Sequence, residues 1–436
     1  MSADKLKVLH LSTYDVGGGA TAAIRLHNNL RRVGVDSRFL TMRNVAGTDG
    51  IYEMPKYGIF LRIINRIRMF QNKWQISKVD PRYCFFDSGL SFICSPSEIL
   101  EKVNFKPDVI IAHWISGFLS AKDLAKLSMD IDAPVIWYLM DMGPLTGGCH
   151  YAWDCKGYTM KCGCCPALYS NDKDDFSSKY LKKKSKYIQK TNIVPVAGTE
   201  WLFRQVQDSS LFKGKKKEKI LIGIDQNVFK PAVREQVRRQ LGLPLGKKII
   251  FFGAGRVSEP RKGLLYLKES LMHLASGEFK KKDDTVIVTA GHDDEAWREG
   301  EGYPFEHKHL GVLRNDKELA AAYQAADVFV CPSIEDSGPM MINEAIMCGT
   351  PVVSFEMGVA LDLVQTGHTG YRAKLKDSRD LANGIKYILE LGDDESLAMS
   401  ENCRKLGNSL LHPDVQARAF FSLIQSLLSR ERNEFQ

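Results

Sequence analysis

The sequence lacks a hydrophobic run long enough to cross a bilayer. Its longest uncharged apolar stretch, residues 109–119, contains His113 and is far shorter than the roughly 20 residues that a spanning helix needs. The first residues, MSADKLKVLHLS, contain neither a long apolar segment nor a small-residue cleavage site, so nothing predicts secretion. We therefore expect a cytoplasmic protein without a membrane-spanning segment.

The sequence also lacks the motifs of nucleic-acid binding, such as clustered stacking aromatics or a recognition helix, so we expect no nucleic-acid partner. Lys and Arg number 60 against 52 Asp and Glu, a net charge of +8. This moderate excess suits phosphorylated small molecules or an anionic membrane surface. Hydrophobic residues are 44% of the 436 residues, enough for the cores of two large α/β domains.

Short apolar runs alternate with amphipathic stretches along the whole chain, which predicts an α/β fold with parallel sheets. The predicted strands are residues 7–12, 37–42, 109–113, 135–139 and 193–197, then 248–253, 285–290, 328–331 and 351–355. The pattern restarts after a Lys-rich stretch. We therefore predict two α/β domains, residues 1–220 and 221–412.

Cysteines are concentrated in one short segment, since half of the ten lie between residues 149 and 165. The candidate metal ligands are Cys149, Cys155, Cys162 and Cys165. Four thiols on one loop favour a closed, structural zinc site and are not typical of a catalytic zinc. Unligated thiols and redox disulfides remain alternatives.

A glycine-rich turn, Gly17 to Gly19, follows the first predicted strand and precedes a helix. This arrangement formally matches a dinucleotide-binding loop. The second strand, however, ends in Arg43 and Asn44 and lacks the acidic residue that would bind the ribose of NAD. An NAD(P)-linked reductase is therefore a less favoured hypothesis.

The most informative segment is residues 325–353, AADVFVCPSIEDSGPMMINEAIMCGTPVV. An apolar strand ends in an acidic pair and a Gly-Pro turn, and a helix follows. This segment resembles the retaining glycosyltransferases of family 4, which have the GT-B fold of two Rossmann-like domains facing a cleft. The resemblance also implies that a C-terminal helix within residues 413–436 crosses back onto the first domain. Their signature is a carboxylate, seven residues and a glutamate, and Asp336 and Glu344 occupy these positions, with Glu335 as a substitute for the first. The ED-x-x-P form resembles a branch that builds bacterial surface polysaccharides.

Further motifs extend the resemblance. Arg256 after a strand, followed by Lys262 before a glycine, is similar to the cation pair that binds the donor diphosphate in this family. Gly311 and Val312 resemble the loop that holds the nucleotide base. The resemblance and the Gly-rich turn together give this set of donor-binding candidates: Gly18, Gly19, Arg256, Lys262, Gly311, Val312, Glu335, Asp336, Ser337, Gly338, Pro339, Met340 and Glu344.

The chemistry of these residue types fits that interpretation. Two cations and a helix N-terminus stabilise a leaving diphosphate without a metal, so we expect no catalytic cofactor. A glutamate one to two turns into the helix accepts two ribose hydroxyls, and a carboxylate beside the sugar stabilises an oxocarbenium-like transition state. The candidate catalytic residues are Asp336, Glu344, Arg256, Lys262 and His113.

The N-terminal half supplies the candidate acceptor site through Trp114, Asp141 and His150, which lie in segments similar to the same branch. One departure concerns Met140, because the family usually has histidine just before the aspartate. A methionine neither donates a hydrogen bond nor carries charge. Either His113, His150 or a backbone carbonyl takes that role, or activity is weakened.

Two basic segments suggest peripheral attachment to an anionic membrane. Residues 60–78 form a basic amphipathic pattern, which suits either an interfacial helix or a helix packed on the sheet. Residues 179–190 contain six lysines and no acid, a pattern more typical of a solvated face. We predict a glycosyltransferase that uses a nucleoside diphosphate sugar and a lipid-linked saccharide acceptor. A non-catalytic, zinc-stabilised sugar- or nucleotide-binding protein is the main alternative.

Overall fold

The computed structural model describes residues 5–55, 78–85, 95–292, 295 and 304–434. The chain divides into two compact units. The first comprises Met1–Gly198, Leu202–Gly223 and Gln416–Gln436, and the second comprises Thr199–Trp201 and Ile224–Val415. The predicted basic segment at 60–78 falls almost wholly on residues 56–77, outside the described residues.

The first unit is built on a seven-stranded parallel sheet with the order β3-β2-β1-β4-β5-β6-β7. Its strands are β1 (Lys7–Tyr14), β2 (Asp36–Arg43), β3 (Ile51–Glu53), β4 (Val109–Ala112), β5 (Val135–Leu139), β6 (Ile193–Ala197) and β7 (Glu218–Lys219). Strands β4, β5 and β6 are buried at every position, as expected when helices cover both faces of a parallel sheet.

Several helices precede the second unit's sheet in the chain, and one helix follows that unit near the C-terminus. They are α1 (Gly18–Arg32), α2 (Pro96–Val103), α3 (Ala121–Ile131), α4 (Phe176–Ile188), α5 (Glu200–Asp208) and the last helix of the chain, Pro413–Glu434. Ser95 and Ser120 form capping boxes at the starts of α2 and α3, which satisfies backbone N–H groups that the helix leaves unpaired.

The second unit repeats the design with a six-stranded parallel sheet in the order β10-β9-β8-β11-β12-β13. Its strands are β8 (Lys248–Arg256), β9 (Thr285–His292), β10 (Glu306–His309), β11 (Val328–Cys331), β12 (Val352–Phe355) and β13 (Gly370–Ala373). Its helices are α6 (Arg234–Gln240), α7 (Leu264–Ser276), α8 (Asp316–Ala325), α9 (Met340–Met347), α10 (Ala360–Leu363), α11 (Ser378–Leu389) and α12 (Asp393–Leu410). The C-terminal helix is therefore α13.

Residues of α13 from Gln416 onward pack within the first unit. The ring of Phe420 lies 5.0 Å from that of Tyr138, and the Gln416 Oε1 accepts a hydrogen bond from the Asn29 Nδ2 at 3.0 Å. No helix in the described ranges is both long and apolar enough to span a bilayer.

The strand order reverses once in each sheet, between β1 and β4 and between β8 and β11. Loops that leave the carboxyl ends of strands diverge at such a point and open a crevice that binds ligands. Most of the candidate site residues predicted from the sequence follow β1, β4, β8 or β11. The fold therefore places them where an α/β sheet ordinarily binds small molecules.

Candidate active site

A tight backbone contact sets the site of the second unit. Gly263 has φ +73°, and a Cβ on it would lie 1.8 Å from the carbonyl oxygen of Pro332. No other residue fits there without moving the backbone. The Ile334 N–H donates to the Arg261 carbonyl at 2.8 Å. The loop after β8 is therefore fixed against the segment that follows β11.

Two cations meet one carboxylate at this junction. The Asp336 Oδ2 accepts hydrogen bonds from the Lys262 Nζ at 2.5 Å and the Arg261 Nη1 at 2.7 Å. The Oδ1 accepts one from the Gly338 N–H at 3.2 Å. Burial opposes ionisation of Asp336, but the charges of Lys262 and Arg261 outweigh it and hold the pKa of Asp336 below its usual value.

The sequence pairs Lys262 with Arg256, whereas the structure brings Arg261 to the carboxylate. Arg256 ends β8 and is exposed, while the Arg261 side chain is only 14% exposed. A 3₁₀ turn at Pro260–Lys262 places both of its basic residues on the Asp336 side. The signal for Arg261 was its position next to Lys262, but the strand-end arginine matched the motif better.

Glu344 and Glu335 are both buried, at 2% and 4% exposure. Glu344 lies on α9, and its Oε2 accepts a hydrogen bond from the Tyr323 hydroxyl at 3.1 Å. Burial, and then the charge of Glu344, raise the pKa of Tyr323, so the phenol stays a donor at neutral pH. The carboxylates of Glu335 and Glu344 are therefore buried in the second unit and are not solvated surface groups.

The residues before α9 form a further part of this site. Ser337, Gly338 and Pro339 lead into the helix, which starts at Met340 and has no side-chain cap. Ser337 is 5% exposed, and its Oγ has no hydrogen-bond partner among the described residues. A buried hydroxyl and uncapped backbone N–H groups next to two cations suit an anion.

Gly311 and Val312 lie at the same edge of the sheet but apart from this cluster. They follow β10, which is separated from β11 by β9 and β8. At roughly 4.8 Å between neighbouring strands, that is about 14 Å. Gly311 has φ +70°, and Val312 is 42% exposed.

The first unit carries a second cluster, centred on Asp141. The Asp141 Oδ2 accepts a hydrogen bond from the Trp114 Nε1 at 2.9 Å and lies 2.7 Å from the His150 Nδ1. The Oδ1 accepts from the Gly143 N–H at 2.8 Å. The His150 Nε2 lies 3.4 Å from the Ser116 hydroxyl. The three predicted acceptor residues therefore form one hydrogen-bonded group.

His113 lies in the core of the first unit. Its Nε2 is 2.9 Å from the His10 Nδ1, and its ring stacks with those of His10 and Phe39. Burial, and then the charge of His27, lower the pKa of His113 to about 3. The residue is therefore neutral at physiological pH, and its catalytic role stays a prediction. Sequence reasoning missed His10 and His27 because separate strands and a helix bring these rings together.

Gly18 and Gly19 begin α1, behind Gly17 with φ +92°. A Cβ on Gly19 would lie 3.4 Å from the Cβ and Cγ atoms of Met140. The side chain that replaces the family's usual histidine thus packs directly against this turn. Met140, Trp114 and Asp141 also line one small pocket.

The four predicted zinc ligands line one small cavity in the first unit. Cys149 and Cys165 pack with Phe85 and Ala167 in an apolar cluster, and burial raises the pKa of Cys149. All of the cysteines within the described ranges are free thiols. In that same part of the chain, no three His, Cys, Asp or Glu side chains are grouped to hold a metal ion. Cys149 and Cys165 are buried, whereas Cys155 and Cys162 are partly exposed, and zinc stays a prediction.

Comparisons with known proteins find a family match within the second unit. Residues 233–406 match the family described as Glycosyl transferases group 1. A phosphatidyl-myo-inositol mannosyltransferase of Mycobacterium leprae is 33% identical over 148 residues, 33% of this chain and 38% of the relative. A D-inositol 3-phosphate glycosyltransferase of Corynebacterium aurimucosum is 28% identical over 193 residues, 41% of this chain and 44% of the relative. The chain spans less than half the length of the curated relatives it matches.

Solved structures resemble the whole chain. Sucrose-phosphate synthase from Thermosynechococcus elongatus has a TM-score of 0.67 at 15% identity, covering 98% of this chain and 100% of its own. The Anabaena protein Alr3699/HepE in complex with UDP-glucose has a TM-score of 0.64 at 16% identity, covering 97% and 100%. The predicted fold class, GT-B with two Rossmann-like parallel-sheet domains, is confirmed.

Proposed function

We propose that the protein is a retaining glycosyltransferase that moves a sugar from a nucleoside diphosphate sugar to a hydroxyl group of a saccharide. The observation that supports this proposal is that the family match and the candidate donor site share the same residues. The family match over residues 233–406 includes Lys262, the Asp336 carboxylate that it contacts at 2.5 Å, and the buried Glu344.

In the proposed reaction, the bond between the anomeric carbon and the diphosphate breaks, and the acceptor oxygen bonds to that carbon on the same face. The acceptor's proton passes to the departing diphosphate. Lys262 and the N-terminus of α9 stabilise the negative charge that grows on the diphosphate. Glu344 holds the ribose hydroxyls, and Asp336 or Glu335 faces the transferred sugar.

The acceptor is proposed to lie against the Trp114, Asp141 and His150 group. An aromatic ring beside a carboxylate and an imidazole suits the apolar faces and hydroxyls of a sugar. We propose a growing, lipid-linked surface polysaccharide as the acceptor. The names of the curated relatives suggest inositol-containing acceptors as the alternative.

Attachment to an anionic membrane surface is the remaining part of the proposal. On α4 and just beyond it, Lys179, Lys182, Lys183, Lys186 and Lys190 are exposed. Each lysine near an anionic surface contributes about 1 kcal/mol of attraction. Sedimentation with vesicles of anionic lipid, compared with neutral vesicles, tests this part on its own.

The decisive experiment is thermal stabilisation by UDP, GDP and ADP and by their sugar conjugates, followed by NMR of the product's anomeric configuration. A ligand at 100 times its Kd stabilises the folded protein by about 2.7 kcal/mol. We expect one nucleotide to stabilise it and the matching nucleotide sugar to be consumed. Stabilisation without hydrolysis or transfer over a broad acceptor panel would favour a non-catalytic binding protein. No stabilisation by any of these ligands would contradict the proposal.

A further inference from the structure

The second unit pairs its two site cations with one carboxylate. The side chains of Arg261, Lys262 and Asp336 are 14%, 18% and 11% exposed, so water screens their interaction weakly. Arg261 also contacts the Glu259 carboxylate through two of its nitrogens. The guanidinium is therefore held in place from both sides, with one edge on Asp336.

The Asp336 carboxylate occupies the position that an incoming anion would take. Its Oδ2 receives both cations, and its Oδ1 receives the Gly338 N–H. Carboxylate and phosphate oxygens offer the same chemistry to guanidinium, ammonium and backbone N–H groups. Asp336 thus makes the contacts that a diphosphate would make.

The surroundings hold further groups for an anion. The Ser337 Oγ is buried and has no hydrogen-bond partner within the described ranges. The N-terminus of α9 has no side-chain cap, and neither does that of α7, which has no acidic residue in its first turn. Both helix starts favour negative charge. Asp336 contacts both cations and the Gly338 N–H.

We propose that Arg261 is a further donor-binding residue, and that Asp336 is a resident counter-ion that the donor's diphosphate displaces from Arg261 and Lys262. The inference rests on the proposed function and deepens it. Once displaced, the carboxylate is released next to the sugar, where it accepts sugar hydroxyls. A free nucleoside diphosphate must break the same ion pairs and lacks the sugar that would engage Asp336. The complete donor therefore recovers an interaction that the free nucleotide does not.

The test measures the affinity of UDP, GDP and ADP by calorimetry for the wild type, Asp336→Asn and Arg261→Gln. Removing the competing carboxylate should tighten binding of the preferred nucleotide at least threefold. Removing the guanidinium should weaken it about tenfold, because a charged hydrogen bond contributes roughly 1.5 kcal/mol. Glu306→Gln is the matched control, since Glu306 pairs with Lys247 at the surface, and the same change in net charge should leave affinity within twofold.

The outcomes separate the inference from the proposed function. Unchanged or weaker nucleotide binding by folded Asp336→Asn overturns the counter-ion role, and unchanged binding by Arg261→Gln overturns the role of Arg261. Asp336→Ser, which also removes the charge, replaces Asp336→Asn if that variant does not fold. If no nucleoside diphosphate binds even the wild type, the proposed function fails and the inference with it. Binding by the wild type with unaltered variants overturns the inference alone.

Discussion

The candidate sites of the two units both follow the carboxyl ends of parallel strands but differ in charge. In the second unit, Lys262 and Arg261 form ion pairs with Asp336. Glu344, which belongs to the same sequence motif as Asp336, is buried on α9. In the first unit, a single carboxylate, Asp141, accepts hydrogen bonds from neutral or titratable rings. The same topology thus supports one site suited to a diphosphate and one suited to uncharged hydroxyl groups.

This difference assigns the two proposed substrates to different units. A nucleotide sugar brings at least two negative charges, which a site with paired cations compensates. A saccharide acceptor brings hydroxyl groups and apolar ring faces, which an aromatic and carboxylate site matches. We therefore expect substitutions at Lys262 and Asp336 to alter donor binding and turnover, and substitutions in the Trp114, Asp141 and His150 group to alter the acceptor alone.

The largest effect is expected for Lys262→Ala. Loss of the ammonium should lower transfer about 100-fold, because the cation stabilises charge that develops on the leaving diphosphate. Stability should change little, since Arg261 still pairs with Asp336 at 2.7 Å, and about 1 kcal/mol would shift the melting temperature by about 2–4 °C. Initial rates and melting curves measure both quantities.

Lys247→Ala is the matched control for this prediction. Lys247 lies in the same unit and pairs with Glu306 at 2.8 Å on the surface. The Lys247→Ala variant should retain the transfer rate of the wild type. Equal transfer rates for the wild type and Lys262→Ala would show that Lys262 has no role in the donor site. The proposed difference in charge between the two sites would then have no functional meaning.

In the first unit, Trp114→Phe removes the indole N–H that donates to Asp141 at 2.9 Å. A hydrogen bond to a charged acceptor contributes about 1.5 kcal/mol, so kcat/KM for the acceptor should fall about tenfold. The affinity for nucleoside diphosphate should not change. Steady-state kinetics with varied acceptor, together with calorimetry of the nucleotide, test the two halves of this expectation.

Trp153→Phe makes the same chemical change elsewhere in the first unit, where the indole donates to the Arg82 carbonyl. That variant should behave as the wild type. A loss of nucleotide affinity in Trp114→Phe as large as its loss in acceptor kcat/KM would show that the two substrates are not divided between the units.

The parts of the fold that could be predicted from the sequence are its buried strands. Strands β5, β6 and β11 were predicted with their observed ends, because strands covered on both faces are continuous apolar runs. Strand β10, with the sequence EHKH, was missed. It lies at the sheet edge, where pairing with β9 specifies a strand that side-chain hydrophobicity does not.

The candidate site could be predicted only where its residues are contiguous in sequence. Asp336 and Glu344 belong to one motif, whereas the contact of Arg261 with Asp336 depends on a 3₁₀ turn. Lys184 shows the same limit. It falls in a lysine-rich segment predicted to be a solvated face, but it is 1% exposed and donates to the Gly143 carbonyl at 2.7 Å. Composition does not indicate which lysine of a cluster turns inward.

Acid should weaken the first unit before it disrupts the carboxylate site of the second. Burial, and then the charge of Arg31, lower the pKa of His27 to about 4, and the pKa of His113 lies at about 3, both below the usual 6.5. At a pH between the folded-state pKa of these histidines and 6.5, the unfolded chain binds more protons than the folded chain. The free energy of unfolding therefore decreases as the pH falls from 6.5 towards 4. Each histidine contributes up to about 1.4 kcal/mol per pH unit.

Asp336 behaves differently because its pKa is lowered from 3.8. Its contribution to stability is complete above that value and is lost only as the pH falls below it. The melting temperature of the earliest unfolding transition should therefore drop between pH 7 and 4.5. His27→Gln should make that drop smaller, while His412→Gln, a change at a partly exposed histidine beside Asp414, should not. A melting temperature that is constant over this range would contradict the expectation.

The last expectation concerns the stability of the cysteine segment of the first unit. Cys149 packs with Phe85, Cys165 and Ala167, so Cys149→Ser places a hydroxyl in an apolar cluster and should cost about 1–2 kcal/mol. Cys164→Ser, a change at an exposed thiol of the same loop, should stay within about 0.5 kcal/mol.

Elemental analysis of protein purified under reducing conditions without chelator tests the predicted zinc, expected at about one per chain, at the same time. If zinc is present, chelation should lower the melting temperature of the wild type more than Cys149→Ser does, because the metal would link four side chains that are otherwise held only by packing. If zinc is absent, that prediction is wrong, and the cost of Cys149→Ser measures only the burial of a thiol.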